Sequence, residues 1–380
     1  MATSIGIPCE TSAAESRVAI VPDVAGRFVK KGLTVVVETG AGKGSFIPDS
    51  DYRDAGVTIG SRTDALQCDI VAKVARPTAD EFTQLKSGSV LIGFLEPLDN
   101  PAACADLART GVTAFSMELV PRISRAQKMD ALSAMANIGG YKAVLLAASQ
   151  LPRYFPLLTT AAGTVKPANV LVLGAGVAGL QAIATARRLG ARVSAYDIRD
   201  AVKEQVESLG ATFVTLELET EAMEDQQGYA KALGEEKARR QTKLLVPTIA
   251  KSDVVITTAL IPGRPAPLLV TRDAVESMRP GSVIVDLAAP NGGNCELSEP
   301  GKTIRVSDVT IMAPLNLPAS VAWHASELYS KTVAALILEI LDNDNRVNLD
   351  FDNEVISGAC VTHAGSVVNK RVQSLLEPAQ

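Results

Sequence analysis

Residues 169–197 read NVLVLGAGVAGLQAIATARRLGARVSAYD, and the fold is decided here. Residues 170–173 form an apolar strand that runs into the turn Gly174-Ala175-Gly176-Val177-Ala178-Gly179. Residues 177–189 read as a helix and residues 193–196 as a second strand, with Asp197 at its end. A bare G-x-G-x-x-G says little, but strand, turn, helix, strand and acid together describe a dinucleotide-binding unit. Gly174 permits the tight turn, Gly176 lets a pyrophosphate approach the backbone, and Gly179 lets helix and strand pack closely. Val177 and Ala178 open the helix, whose free N–H groups and positive dipole end favour phosphate. Asp197 falls about 20 residues beyond the turn, where a carboxylate accepts ribose hydroxyls and repels a 2′-phosphate. The reading is NAD(H) in preference to NADP(H). Arg199, two residues on, could contact a phosphate instead. A decayed or FAD-binding turn is the competing reading of the same glycines.

Outward from this unit the chain keeps alternating strand and helix signals. Residues 253–257 and 282–286 read as later strands of the same sheet. Towards the N-terminus, residues 4–8, 34–38, 69–74 and 89–94 are apolar runs of strand length. Residues 23–31 read as a helix closed by Gly32. Two βα repeats in 380 residues imply two cores. The expected fold class is α/β, with two Rossmann-like domains, parallel sheets, long helices joining them and a cleft between them. Residues 320–342 read as one helix carrying the chain back to the first domain. The expected division is residues 1–133 with 321–380, and residues 134–320 as the NAD(H)-binding domain.

Composition narrows the function classes. Hydrophobic residues make up 47% and charged residues 21%, with a net charge of −5. That balance suits an ordered protein and gives no reason to expect a nucleic-acid partner. Five scattered cysteines without C-x-x-C spacing read as reduced thiols, and two distant histidines suggest no zinc site. The first residues lack a signal-peptide pattern, and no apolar run is read as reaching the roughly 18 residues that cross a bilayer.

Two segments break the pattern. Residues 122–130, RISRAQKMD, are polar and then turn helical. Met129, Leu132, Met135 and Ala136 fall on one helical face, and Gln127, Asp130 and Ser133 on another. Spacing alone describes a capped, solvated helix face. Residues 220–240 are charged and contain Gly228-Tyr229. They read equally as a lid over a site or as an ordinary surface excursion.

These residues resemble the NAD(H)-binding component, domain I, of proton-translocating NAD(P) transhydrogenase, and are also similar to alanine dehydrogenase. The likeness covers nearly the whole chain. It includes Ile5-Gly6-Ile7-Pro8, Glu15-Ser16-Arg17-Val18-Ala19, Glu38-Thr39-Gly40-Ala41-Gly42, the glycine turn and Asp286-Leu287-Ala288. Arg122, Gln127 and Asp130 match the family's Arg-Gln-Asp loop, with Ser133 one turn on. The resemblance implies that these four orient nicotinamide, and that Gln127 reaches towards the partner's NADP(H). It gives Tyr229 the role of a mobile-loop tyrosine. It extends nucleotide contact to Arg125, Ile198, Arg199, Gly228, Ala259 and Leu260.

The implied reaction is hydride transfer from NAD(H) here to NADP(H) on another component, or the reverse. A separate membrane-spanning component would couple it to proton translocation. The implied form is a homodimer, cytoplasmic and docked peripherally on the inner membrane. Some alpha subunits of this family continue into membrane segments, which are not read in this sequence. Cys9 departs from the family lysine after Pro8. Against alanine dehydrogenase, the substrate lysine falls on Ala75, the catalytic histidine on Glu96 and the catalytic aspartate on Pro290. Arg17 alone is retained to bind a carboxylate. An amino-acid dehydrogenase is the second reading, and a non-catalytic NAD(H) sensor the third.

Overall fold

The computed structural model describes residues 2–216, 234–261 and 263–376. They form two compact units, Met1–Met135 with Pro318–Gln380, and Ala136–Leu317.

Unit 1 opens with strands β1 (Ser4–Ile7), β2 (Thr34–Glu38), β3 (Thr58–Gly60), β4 (Ile70–Ala72), β5 (Val90–Gly93) and β6 (Thr113–Ser116). Unit 2 holds β7 (Leu158–Thr160), β8 (Gly163–Val165), β9 (Asn169–Leu173), β10 (Arg192–Tyr196), β11 (Thr212–Phe213), β12 (Val254–Thr257), β13 (Val283–Asp286), β14 (Thr303–Val306) and β15 (Val309–Met312). The chain re-enters unit 1 at Pro318 and adds β16 (Cys360–His363) and β17 (Ser366–Val367).

Among the described residues, unit 1 has an eight-stranded sheet in the order β17-β16-β6-β5-β4-β1-β2-β3. Unit 2 has a seven-stranded sheet in the order β11-β10-β9-β12-β13-β15-β14. Both have parallel centres, as the βα pattern implies. Each sheet has one antiparallel edge: β16 runs antiparallel to β6 and β17, and β14 antiparallel to β15, while the opposite edge strands β3 and β11 are parallel. The helix expected over residues 320–342 is a 3-10 turn, Pro318–Val321, followed by a helix, Ala322–Glu339.

The unit 2 sheet is apolar on both faces because helices cover both. Val170, Val172, Val254, Ile256, Val283 and Val285 point into one core, with Val144, Ala147, Ala182, Ile183 and Ala186. Leu171, Leu173, Val255 and Ile284 alternate with them into the other, against Leu245, Ile249, Ala274 and Val275. Each large aliphatic side chain buried this way contributes about 2 kcal/mol.

The helix Ala131–Gln150 has 20 residues and contains an 18-residue window of mean hydropathy 1.2, enough by length and composition to cross a membrane. This corrects the expectation that no apolar run reaches that length. Its apolar character has a packing reason, since Ala143, Val144 and Ala147 are buried in the first unit 2 core. Gly140 lies against the helix Val177–Arg188, where a Cβ would stand 2.0 Å from the Ala178 carbonyl oxygen. Asn137 Nδ2 donates to Gln181 Oε1 across the same crossing (3.0 Å). Gly140→Ala therefore forces two backbones apart. The expected cost is about 2 kcal/mol, read as a lowered midpoint in thermal unfolding.

Residues 122–133 are not one helix. Ser124–Met129 is a 3-10 segment, and Asp130 interrupts it with φ −75° and ψ 82°. Asp130 Oδ1 accepts from the Ser133 N–H (2.8 Å) and Oδ2 from the Ser133 hydroxyl (2.6 Å). An aspartate satisfying one N–H of the first turn restarts the chain as a helix at Ala131. The expected common face of Gln127, Asp130 and Ser133 is thus broken by the cap. The apolar face holds in part, with Met129 and Met135 buried.

Candidate functional site

Strands β10, β9 and β12 are neighbours, and the first strand in sequence, β9, lies between the other two. The connection from β9 therefore runs over one face of the sheet, where Ala182, Ile183 and Ala186 pack, and that from β12 over the other, where Ala274 and Val275 pack. The crevice beyond the carboxyl ends at such a switch point is where open α/β sheets bind ligands. The glycine turn follows β9, Asp197-Ile198-Arg199 follows β10, and Thr258-Ala259-Leu260 follows β12.

The three glycines have different reasons for lacking a side chain. Gly174 has φ +97°, and a Cβ there would meet Thr258 Oγ1 at 2.7 Å. A Cβ on Gly179 would stand 1.8 Å from the Gly174 carbonyl oxygen. Both are explained by the protein's own packing. Gly176 is not. It is exposed, its φ is −78°, and a Cβ built on it meets nothing within 4 Å. Nothing among the described residues requires glycine there, whereas a ligand pressed against the backbone would.

Gly176 is also the N-cap of the 12-residue helix Val177–Arg188, and no side chain caps that end. The first N–H groups of a helix have no acceptor within it. With the helix dipole they favour an anion. Val177 is exposed and Ala178 half-buried, so this end of the helix is open.

Asp197 is 7% exposed and heavily engaged. Its Oδ2 accepts from Ala175 N–H (2.7 Å) and from an Arg199 Nη (2.9 Å). Its Oδ1 accepts from Arg199 N–H and Nε, both at 2.9 Å. A carboxylate offers about four acceptor positions, and these contacts use them. Asp197 therefore ties the glycine turn to the end of β10, and a ribose hydroxyl would compete with the Arg199 guanidinium. Ile198 between them is half-buried.

In unit 1, Arg122 and Gln127 are exposed, and Asp130 and Ser133 are half-buried in the helix cap. Arg125 is anchored at home: its two terminal nitrogens donate to Glu339 Oε1 (2.9 Å) and Asn353 Oδ1 (2.6 Å). Gly228 and Tyr229 lie outside the described residues.

The predicted positions thus form two groups. Gly174, Gly176, Val177, Ala178, Gly179, Asp197, Ile198, Arg199, Ala259 and Leu260 gather at three adjacent strand ends of unit 2. Arg122, Arg125, Gln127, Asp130 and Ser133 gather on one segment of unit 1. Thr258 and Asn294 carry no signal in the sequence. Thr258 Oγ1 donates to the Gly174 carbonyl (3.0 Å), and Asn294 holds the Ala259 backbone. The motif Asp286-Leu287-Ala288 points near Asn294 without reaching it.

Residues 6–139 match the family description "Alanine dehydrogenase/PNT, N-terminal domain", and residues 143–370 match its C-terminal domain. The chain belongs to the alanine dehydrogenase/PNT family. Within that family it is 48% identical to the first portion of the divided NAD(P) transhydrogenase subunit alpha of Rhodospirillum rubrum, over 96% of this chain and 97% of that protein. Identity to alanine dehydrogenase of Mycobacterium tuberculosis is 32%, over 97% of this chain and 95% of that one. The crystal structure of transhydrogenase from Sinorhizobium meliloti superposes with a TM-score of 0.87 at 46% identity, covering 96% of this chain and all of that one. The chain is a transhydrogenase alpha-subunit relative with the Rossmann-like fold of that group. NAD(H) is the family's cofactor in this domain, and the open glycine at the helix N-terminus fits its pyrophosphate.

Proposed function

We propose that this chain is the NAD(H)-binding catalytic component of a proton-translocating transhydrogenase of the Re/Si-specific type. It would exchange hydride directly between NAD(H) bound here and NADP(H) bound to a partner component. A separate membrane-spanning component would couple that exchange to proton movement, with this chain docked at the cytoplasmic face. The observation that carries the reading is end-to-end similarity to a transhydrogenase subunit, at clearly higher identity than to alanine dehydrogenase.

The chemistry suits the residues. Hydride passing between two nicotinamides needs no acid or base, only close approach, about 3–3.5 Å between the reacting carbons, and exclusion of water. In this reading the Gly174–Gly179 turn and the N–H groups of Val177 and Ala178 hold the pyrophosphate. Asp197 and Arg199 meet the adenosine ribose. Ala259 and Leu260 line the nucleotide beside the turn. Arg122, Gln127, Asp130 and Ser133 orient the nicotinamide, and the family likeness adds Tyr229 and Gly228, outside the described residues, as further nucleotide contacts. NADH should bind at least about tenfold more tightly than NADPH, because Asp197 disfavours a 2′-phosphate. Separate calorimetric titrations with the two nucleotides check this, and equal affinities would contradict the assignment.

A homodimer is part of the same reading. The exposed hairpin β7–β8, with Tyr154, Leu157 and Val165 exposed beside or on it, supports a second copy. Isolated two-stranded hairpins are marginally stable in water.

Amino-acid dehydrogenase activity is the second reading, favoured by the 32% identity to alanine dehydrogenase. Against it, Ala75 and Pro290 carry no ionisable side chain. Glu96 sits at φ +51°, with an Arg76 nitrogen 4.0 Å away. The retained Arg17 is held by Glu15 through two nitrogens, at 2.7 and 2.6 Å. NADH with pyruvate and ammonia should be oxidised at the background rate. Steady oxidation that depends on both would overturn the transhydrogenase reading.

A further inference from the structure

Ala259 follows the last residue paired in β12 by two positions, so the sheet does not supply partners for its backbone. A buried side chain supplies them. Asn294 is fully buried, and its Oδ1 accepts from Ala259 N–H (2.9 Å). Its Nδ2 donates to the Ala259 carbonyl (2.9 Å) and to the Pro267 carbonyl (2.8 Å). The carboxamide thus pairs with Ala259 as a neighbouring strand would.

Asn294 is itself held in place. Its backbone N–H donates to Asp286 Oδ2 (3.0 Å) at the end of β13. That fully buried carboxylate also accepts from Thr257 Oγ1, the N–H groups of Ala288 and Cys295, and Ser298 Oγ. On the other side, Thr258 Oγ1 grips the Gly174 carbonyl. One continuous set of hydrogen bonds runs from β13 through Asn294 and the Thr258–Ala259 backbone to the glycine turn. Both polar groups of Ala259 face inward, so the segment presents Leu260, 43% exposed, as an apolar edge beside the turn.

We propose that Asn294 is a positioning residue that sets the Thr258-Ala259-Leu260 backbone in its nucleotide-receiving form before nucleotide arrives. The inference rests on the NAD(H) reading of the glycine turn. Its energetic effect is preorganisation: a segment already ordered loses no further freedom on binding.

Two measurements test it. In hydrogen exchange on the nucleotide-free wild type, peptides spanning residues 258–261 should already be protected, and NADH should add little. Free exchange that stops only with NADH would overturn the proposal, whatever the variants do. In Asn294→Ser, which removes the clamp without adding charge, the NADH Kd and KM should rise about tenfold. At saturating NADH, kcat with the NADP(H)-binding component should stay within about twofold, since the residue shapes binding and not the reacting geometry. A folded Asn294→Ser with wild-type Kd and KM would overturn it. Wild-type protein that fails to bind NADH would instead sink the parent reading.

Discussion

Gly176→Val should fold like the wild type and lose about 100-fold in NADH affinity, about 2.7 kcal/mol. Gly179→Ala should lose both affinity and stability. The contrast follows from what each added Cβ meets. At Gly176 it meets open space, in a backbone conformation any residue adopts, so the folded state has no reason to resist. The same methyl groups would stand where a pyrophosphate approaches the helix N-terminus. At Gly179 the nearest atom is the Gly174 carbonyl oxygen, 1.8 Å away, and it belongs to the backbone of the turn. Helix and strand must separate, at an expected cost of about 3 kcal/mol. Equilibrium dialysis with NADH and thermal unfolding of both variants check the pair. A Gly176→Val protein that binds NADH normally would remove the main support for the pyrophosphate position.

Gln127→Asn should cut transhydrogenation by about 100-fold while leaving NADH affinity within about twofold. The substitution keeps the amide and shortens its reach by one methylene. Gln127 is exposed on the 3-10 segment Ser124–Met129, so the fold does not depend on its length. Hydride transfer does depend on reach, because an error of about 1 Å in the reacting geometry can cost about two orders of magnitude. The KM and kcat with the NADP(H)-binding component separate the two effects. Wild-type kcat would exclude Gln127 from nicotinamide positioning.

Much of this arrangement is legible in the residues. The buried parallel strands announce themselves as short apolar runs, because both faces of each sheet are covered. That is why β1, β2, β9, β10, β12 and β13 stand within a residue or so of where the runs place them. The glycine turn is legible because its spacing is set by backbone geometry. The edges are not. β17 has two residues, β16 turns polar at Thr362-His363, and β14 has the burial pattern of a half-exposed edge strand, so no continuous apolar run marks them. The cap at Asp130 is hidden because Gln127, Asp130 and Ser133 also suit an unbroken helix. Only the hydrogen bonds to Ser133 show where the helix restarts. The roles of Asn294 and Thr258 depend on contacts between loops distant in sequence, which no local pattern encodes. Asp197 is legible at the end of β10, but its pairing with Ala175 and Arg199 needs the folded turn to be seen.

The most direct test of the account is a mixing assay. Purified chain, the isolated NADP(H)-binding component and NADPH are combined with an oxidised NAD analogue whose reduction is followed optically. Reduction that requires both proteins, and that Gln127→Asn slows by about 100-fold, is the predicted result. No reduction above the rate of either protein alone, from components that each bind their own nucleotide, would contradict it.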